Sequence, residues 1–280
     1  MLIDVLDTCT FGGLTLGQTD SNGNEWYFTG IDGWEAVDAT TQAIQKAQGD
    51  GGFATPPFLV PRSFTVYGAV VSSGRMALVA AKHTLNAAAS IFEQSLTVTS
   101  GGQPLTVTAQ RVGAVTPKNE TDVATEFAIQ FLATRAVRSA PLLVGSTGLA
   151  SASGGLTVPF TVPFSINSTV ATGRVTLVNT GNTPGAVLAR IDGPVQGPVI
   201  THSPTGLILS MSSLTLNAGE WLEIDMNSET VLANGQASRS SYVNLSGFSP
   251  FSVGSNSWAF SAAAPSATAA LTIYASPSYL

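Results

Sequence analysis

Period-two alternation in the C-terminal half is the strongest limit on what this chain can fold into. Arg174-Val175-Thr176-Leu177-Val178-Asn179 runs into Thr180-Gly181-Asn182, and Gly219-Glu220 opens Trp221-Leu222-Glu223-Ile224-Asp225-Met226. Apolar and polar residues alternate in each run, and Asn, Gly or Pro bounds each one. That is the pattern of short antiparallel strands with one buried face. Similar runs follow one another closely: Phe160–Ile166, Arg174–Asn179, Ala186–Asp192, Gly206–Met211, Trp221–Met226, Trp258–Ser261 and Ala270–Tyr274. Strands this short and this closely spaced by turn residues favour a sandwich or jelly roll over a parallel sheet.

The N-terminal half reads as a second β-domain. Trp26-Tyr27-Phe28 and Ile31-Asp32-Gly33-Trp34 are strand-like, Gln48–Gly52 is a glycine-rich loop, and Ser63-Phe64-Thr65-Val66-Tyr67-Gly68 resumes the alternation after prolines that suit an edge or a strand start. One segment has a helical period. Between Arg75 and Phe92, Leu78, Leu85, Ala88, Ala89 and Phe92 fall on one face, with Ser72 or Ser73 as the expected N-cap. Leu96–Thr99 and Leu105–Ala109 flank Ser100-Gly101-Gly102-Gln103-Pro104 as a hairpin, and Phe127, Ile129 and Phe131 alternate on a further strand. The uncharged Gly, Ser, Ala and Leu stretch from Ala140 to Gly155 marks the boundary, giving domains 1–140 and 141–280. A fragment beginning near Gly145 is expected to hold its own core. The fold class is therefore all-β with one long helix, in two sandwich or barrel-like domains.

Composition narrows the function. Only 10% of residues are charged, against about 25% in ordinary soluble domains, which suits a surface partly buried against other subunits. The net charge of −6 opposes a nucleic-acid-binding face. The first 50 residues hold eight acids against Lys46 alone, a balance of −7 that leaves +1 for all the rest. The first seven residues carry two acids and no basic stretch, so no secretory signal is expected. No apolar run of roughly 20 residues predicts membrane insertion. Cys9 is the single cysteine, and no Cys or His cluster has zinc spacing.

Candidate catalytic groups are few. Glu223 and Asp225 share one strand face and look like part of the Glu-X-Asp-X-X-Glu signature of laminarinase-type hydrolases. Ser228 stands where the third carboxylate belongs, and Glu229 falls one residue late. His83 and His202 have no neighbouring nucleophile motif, and the paired glycines lack the Lys-Ser/Thr ending of a phosphate loop. Trp26, Trp34, Trp221 and Trp258 could stack on sugar rings, with Trp221 expected to face outward beside Glu223 and Asp225.

In order and spacing, the Pro61–Gly68 strand, the helix, the Leu96–Arg111 hairpin, Val175–Asn182, Gly206–Leu209, Gly219–Asp225 and Asn234-Gly235 resemble the distal tail proteins of long-tailed bacteriophages. The resemblance implies a ring-forming N-terminal domain and a galectin-like C-terminal sandwich. It also implies a hexameric homo-oligomer in the virion tail tip, made in the host cytoplasm. Its implied partners are the tail tube protein, the tail hub and, in some members, receptor-binding proteins. No catalytic residue, cofactor or metal comes with it. A carbohydrate-binding sandwich is the second reading, and a laminarinase-like hydrolase the third.

A tail ring lets DNA pass without holding it, so Asp4, Asp7, Asp20, Glu25, Asp32, Glu35 and Asp38 are expected to line its channel, where carboxylates repel phosphates over the roughly 8–10 Å that salt allows. Glu223 and Asp225 are expected to be surface acids. Replacing them with Gln and Asn should change unfolding free energy by no more than about 0.5 kcal/mol in denaturant titration.

Overall fold

The computed structural model describes residues 7–118, 120–153, 169–171, 173–264 and 266–280. The expected strand Phe160–Ile166 lies outside these residues. The chain divides into two compact units, Met1–Pro141 with Tyr279–Leu280, and Leu142–Ser278.

The first unit is one long antiparallel sheet folded back on itself. Its path runs from Leu14–Leu16 through Thr8–Phe11, Gln94–Ser100, Gln103–Lys118, Ala124–Ala133, Arg62–Val71 and Glu25–Asp32 to Gln18–Thr19. The fold-back is built into Gln103–Lys118. Its first half pairs with Gln94–Ser100, its second half with Ala124–Ala133, and the register shifts between Val112 and Thr116. Period two then brings Cys9, Phe11, Leu96, Val98 and Val107 into one core with Phe64, Val66, Val70, Phe127, Ile129 and Phe131. Phe131 sits between Phe11 and Phe64, with ring centroids 5.4 and 5.8 Å away. The hairpin link is tighter than the five residues expected. Ser100 pairs with Gln103, so Gly101 and Gly102 alone make the turn, at φ of 56° and 81° that two L side chains would resist.

The helix covers Arg75–Ala88 and buries Leu78, Ala81, Leu85 and Ala88 against the sheet core. Two local expectations fail. Gly74, not a serine, precedes the first turn, and no side chain caps it. Phe92 lies beyond the helix and is exposed, because the chain leaves the helix at Ala89 to enter the next strand.

Two buried arginines pin the loops below this sheet. Arg62 donates from Nε to the Ala136 carbonyl and from Nη1 to the carbonyls of Trp34 and Ala36. Arg138 pairs with Glu35 at 2.9 Å, donates to the Leu280 carbonyl at 2.7 Å, and lies over the Trp34 ring. Burial, then the like charge of Arg138, hold Arg62 down to about 10, opposed by Glu35, so it stays charged at neutral pH.

The second unit is a sandwich. One sheet has six strands in the order Leu143–Gly148, Ala270–Ala275, Val187–Asp192, Trp221–Asp225, Thr230–Ala233 and Ala237–Ser238. The other has five: Arg174–Asn179, Gly254–Ser261, Val199–His202, Leu207–Ser210 and Leu245–Ser246. Val187, Ala189, Ile191, Leu222, Ile224, Leu271 and Ile273 from the first share a core with Val175, Ile200, Leu209, Trp258 and Phe260 from the second. The expected start near Gly145 cuts the strand Leu143–Gly148, which pairs with Ala270–Ala275 along its whole length.

Two measurements follow from these contacts. A fragment starting at Leu142 should unfold cooperatively and at a higher temperature than one starting at Gly145, which loses the pairing of Leu143 and Val144 with Ala275 and Tyr274. Arg62→Ala should cost about 3 kcal/mol in denaturant unfolding, since it removes the donors of three loop carbonyls, of which the bond to Trp34 is buried.

Candidate functional site

Among the described residues, no three His, Cys, Asp or Glu side chains gather as a metal site. Burial pushes the Cys9 thiol up to about 12, which keeps it protonated and unreactive. Glu223 and Asp225 stand half-buried on the outer side of their strand, above Leu222, Ile224 and Met226 in the core. Asp225 Oδ1 accepts from the amides of Asn227 and Ser228, so this carboxylate caps the turn after its strand. Glu229 sits in that turn with a left-handed backbone, φ 55°. Asparagine at 225 retains the accepting oxygen, which is consistent with the small effect expected of that exchange.

The tryptophans divide as their strands dictate. Trp26, Trp34 and Trp258 are core residues. Trp221 is half-buried on the outer face, and the Arg190 guanidinium, itself paired with Asp192 at 2.7 Å, lies 4.8 Å from its ring centre. That cation covers the indole, which is therefore not an open platform for a sugar. His83 is exposed on the helix.

The N-terminal acids occupy varied places. Asp4 lies outside the described residues. Asp7 accepts from Ser100 Oγ and the Gly101 amide. Asp20 closes a turn, accepting from the amides of Asn22 and Asn24, from Asn24 Nδ2 and from the Trp26 indole. Burial opposes its ionisation, but these bonds prevail and hold its carboxyl below the usual range. Glu25 accepts from the Tyr27 hydroxyl, and Asp32 from that of Tyr67, which raises both phenols. Glu35 is bound to Arg138, and Asp38 is exposed.

The feature that the residue pattern did not disclose is an arm. From Asp38 to Leu59 the chain is exposed at every position, yet it is a regular two-stranded ladder. Ala39–Thr40 pairs with Phe58–Leu59, and Ala43–Gln45 with Gly52–Ala54. The Gln48–Gly52 loop is its tip. Ile44, Phe53, Phe58 and Leu59 remain 66%, 68%, 67% and 47% exposed. An isolated two-stranded hairpin is marginal in water, and four large apolar side chains on one are a signature of contact with something else. Apolar residues at 44, 53, 58 and 59 were the available signal, masked by the Gly, Pro and Gln between them.

Comparison with known proteins points to phage tail components. Residues 178–279 match the family model described as siphovirus-type tail component, C-terminal domain. The match covers only the C-terminal part of the chain, which is similar to this tail component. The fold of the chain is similar to that of the SPP1 Dit (gp 19.1) protein, described as a paradigm of the hub adsorption apparatus in phages infecting Gram-positive bacteria. The TM-score is 0.64 at 12% identity, over 98% of this chain and 100% of that one. The phage P2 baseplate in its activated conformation with Ca gives 0.49 at 9% identity, over 96% and 97% of the two chains. No curated protein sequence matches the chain.

Within the part matched by the distal tail family model, the buried polar residues act on the fold. Asn179 Nδ2 donates to the carbonyls of Thr183 and Phe251, and its Oδ1 accepts from the amides of Gly181 and Ser278. A Cβ at Gly181 would meet the Ser278 carbonyl oxygen at 1.8 Å, so the Asn-Thr-Gly of the strand end is a packing requirement. His202 is buried against Trp258, with Nδ1 2.7 Å from Thr205 Oγ1 and Nε2 3.1 Å from Asn256 Oδ1.

Burial lowers the His202 pKa from 6.5, against the Asn256 bond, which favours the charged ring. The unfolded chain then binds the proton more readily than the folded one, so stability is complete above pH 6.5 and is lost as pH falls below it. The thermal transition of the second unit should drop on going from pH 7 to pH 5, and His202→Gln should make that drop shallower in scanning calorimetry.

Proposed function

We propose that this chain is the subunit of a hexameric ring at the tip of a phage tail, joining the tail tube to the tail hub. In this reading the first unit closes the ring and the second offers an attachment platform for hub or receptor-binding proteins. The chain acts as a structural part of the virion, made in the host cytoplasm, and not as an enzyme. The observation that carries the reading is the exposed arm 38–59, whose Ile44, Phe53, Phe58 and Leu59 have no core of their own to enter. A neighbouring copy in a closed ring would cover the same face on every subunit. The low charge of the chain and the likeness of residues 178–279 to a siphovirus-type tail component support the same arrangement.

The acidic first unit fits passage of DNA through such a ring. Exposed carboxylates at Glu25, Asp32 and Asp38, with Asp4, Asp7, Asp20 and Glu35 nearby in sequence, would repel phosphates at short range. A ring structure with these acids pointing away from the axis would remove this part of the proposal and leave the architectural part.

Light scattering and negative-stain imaging of the purified full chain test the ring. The expected result is a six-subunit mass and particles with a central hole. Replacing Ile44, Phe53 and Phe58 together by Ser should return the chain to monomer with its thermal transitions unchanged. A monomeric mass at high concentration, with no ring marked by antibody on virions, would overturn the proposal.

A further inference from the structure

The second unit holds a cleft of about 420 Å³ that lies apart in sequence from the arm 38–59 on which the ring is proposed. Its size falls within the roughly 300–1,000 Å³ of small-ligand sites. It lies beside the end of the six-stranded sheet, where the segment before Trp221, the Ala233–Ala237 turn and the short 3-10 turn Ser240–Tyr242 meet. Its walls are more polar than apolar, and the polar groups are held in place. Glu220 Oε2 accepts from the Asn217 amide at 2.7 Å and from Asn217 Nδ2 at 3.2 Å. Asn234 adopts a left-handed backbone, φ 50°, and its Oδ1 accepts from the Trp221 amide at 3.0 Å, which fixes the side-chain amide and leaves Nδ2 as a donor. The Arg239 guanidinium lies 5.9 Å from the Tyr242 ring centre and pairs with no carboxylate among the described residues. Gln236 adds a second amide, and the Tyr242 ring is 36% exposed.

We infer that this cleft binds an uncharged saccharide. A sugar hydroxyl donates and accepts at once, and only a wall carrying both kinds of group satisfies it. Arg239, Asn234 and Gln236 supply donors, while Glu220 and the amide oxygens supply acceptors. Tyr242, whose ring carries Arg239, adds a partly exposed hydroxyl that both donates and accepts. One cation and one carboxylate in the same wall leave no net charge. A phosphorylated or sulfated glycan would meet Glu220 as well as Arg239, and a neutral one meets no such opposition. The outer face of Trp221, covered by Arg190, takes no part.

The test uses the full chain on an array of neutral and of phosphate- or sulfate-bearing oligosaccharides, followed by titration calorimetry with the neutral glycan giving the strongest signal. Binding of a neutral glycan is expected, at least tenfold weaker in Arg239→Gln and in Tyr242→Ala. Ala237→Trp, at an exposed position on the wall, fills the cleft without touching the core and should abolish binding with the thermal transition unchanged. Ring formation should survive all three changes, so failure here is separable from failure of the ring. The inference is overturned if no neutral glycan binds, if only charged glycans bind, or if a neutral glycan binds the Ala237→Trp protein as well as the unaltered one.

Discussion

The large sheets of both units each have one face that must leave water, and the rest of the architecture follows from how that face is covered. A strand of alternating residues offers its apolar side chains to one side only, so a single sheet of this composition cannot stand alone. The two units meet the constraint differently. In the first, the bulge between Val112 and Thr116 lets one strand serve both halves of a sheet that folds over its own apolar face. In the second, two separate sheets place Ile224, Ile273 and Ala189 in one core with Trp258 and Phe260.

Buried polar groups mark the places where backbone would otherwise lose its hydrogen bonds. Arg62 and Arg138 satisfy the carbonyls of Trp34, Ala36, Ala136 and Leu280, which no strand partner serves. Asn179 does the same for four backbone groups at the end of its strand, and the His202, Asn256 and Thr205 side chains bind one another. The desolvation of these groups costs stability, and Arg62 Nη2 and Arg138 Nε stay buried without a hydrogen-bond partner, so these arginines fix loop positions more than they add strength.

Two surface features stand apart from this framework. The arm 38–59 has a regular ladder and no core, which is the reverse of the usual relation between a hairpin and its domain. The polar cleft beside Asn234 and Arg239 has the opposite character: rigid, concave and neutral. The first suits a protein partner and the second a small polar ligand, so the two features do not compete for one role.

Much of the fold was legible in the sequence because burial of one strand face is a local, repeating pattern. Phe127, Ile129 and Phe131 alternate into the core as their spacing says, and so do Leu222, Ile224 and Met226. The family resemblance was legible for the same reason, since its motifs encode strands and turns. Helix ends, the two-residue turn at Gly101-Gly102 and the strand Leu143–Gly148 that a fragment start at Gly145 would cut were not, because each depends on which partner strand accepts the hydrogen bonds. The same holds for the sites. Sequence placed Glu223 and Asp225 on an outer face and left Ser228 where a third carboxylate would be needed. It could not foresee that Arg190 covers Trp221, that Glu35 meets Arg138 across 103 positions, or that residues between 213 and 242 line a cleft. Periodicity is written in neighbouring residues, whereas a site is made by residues that only the closing of the sheets brings together.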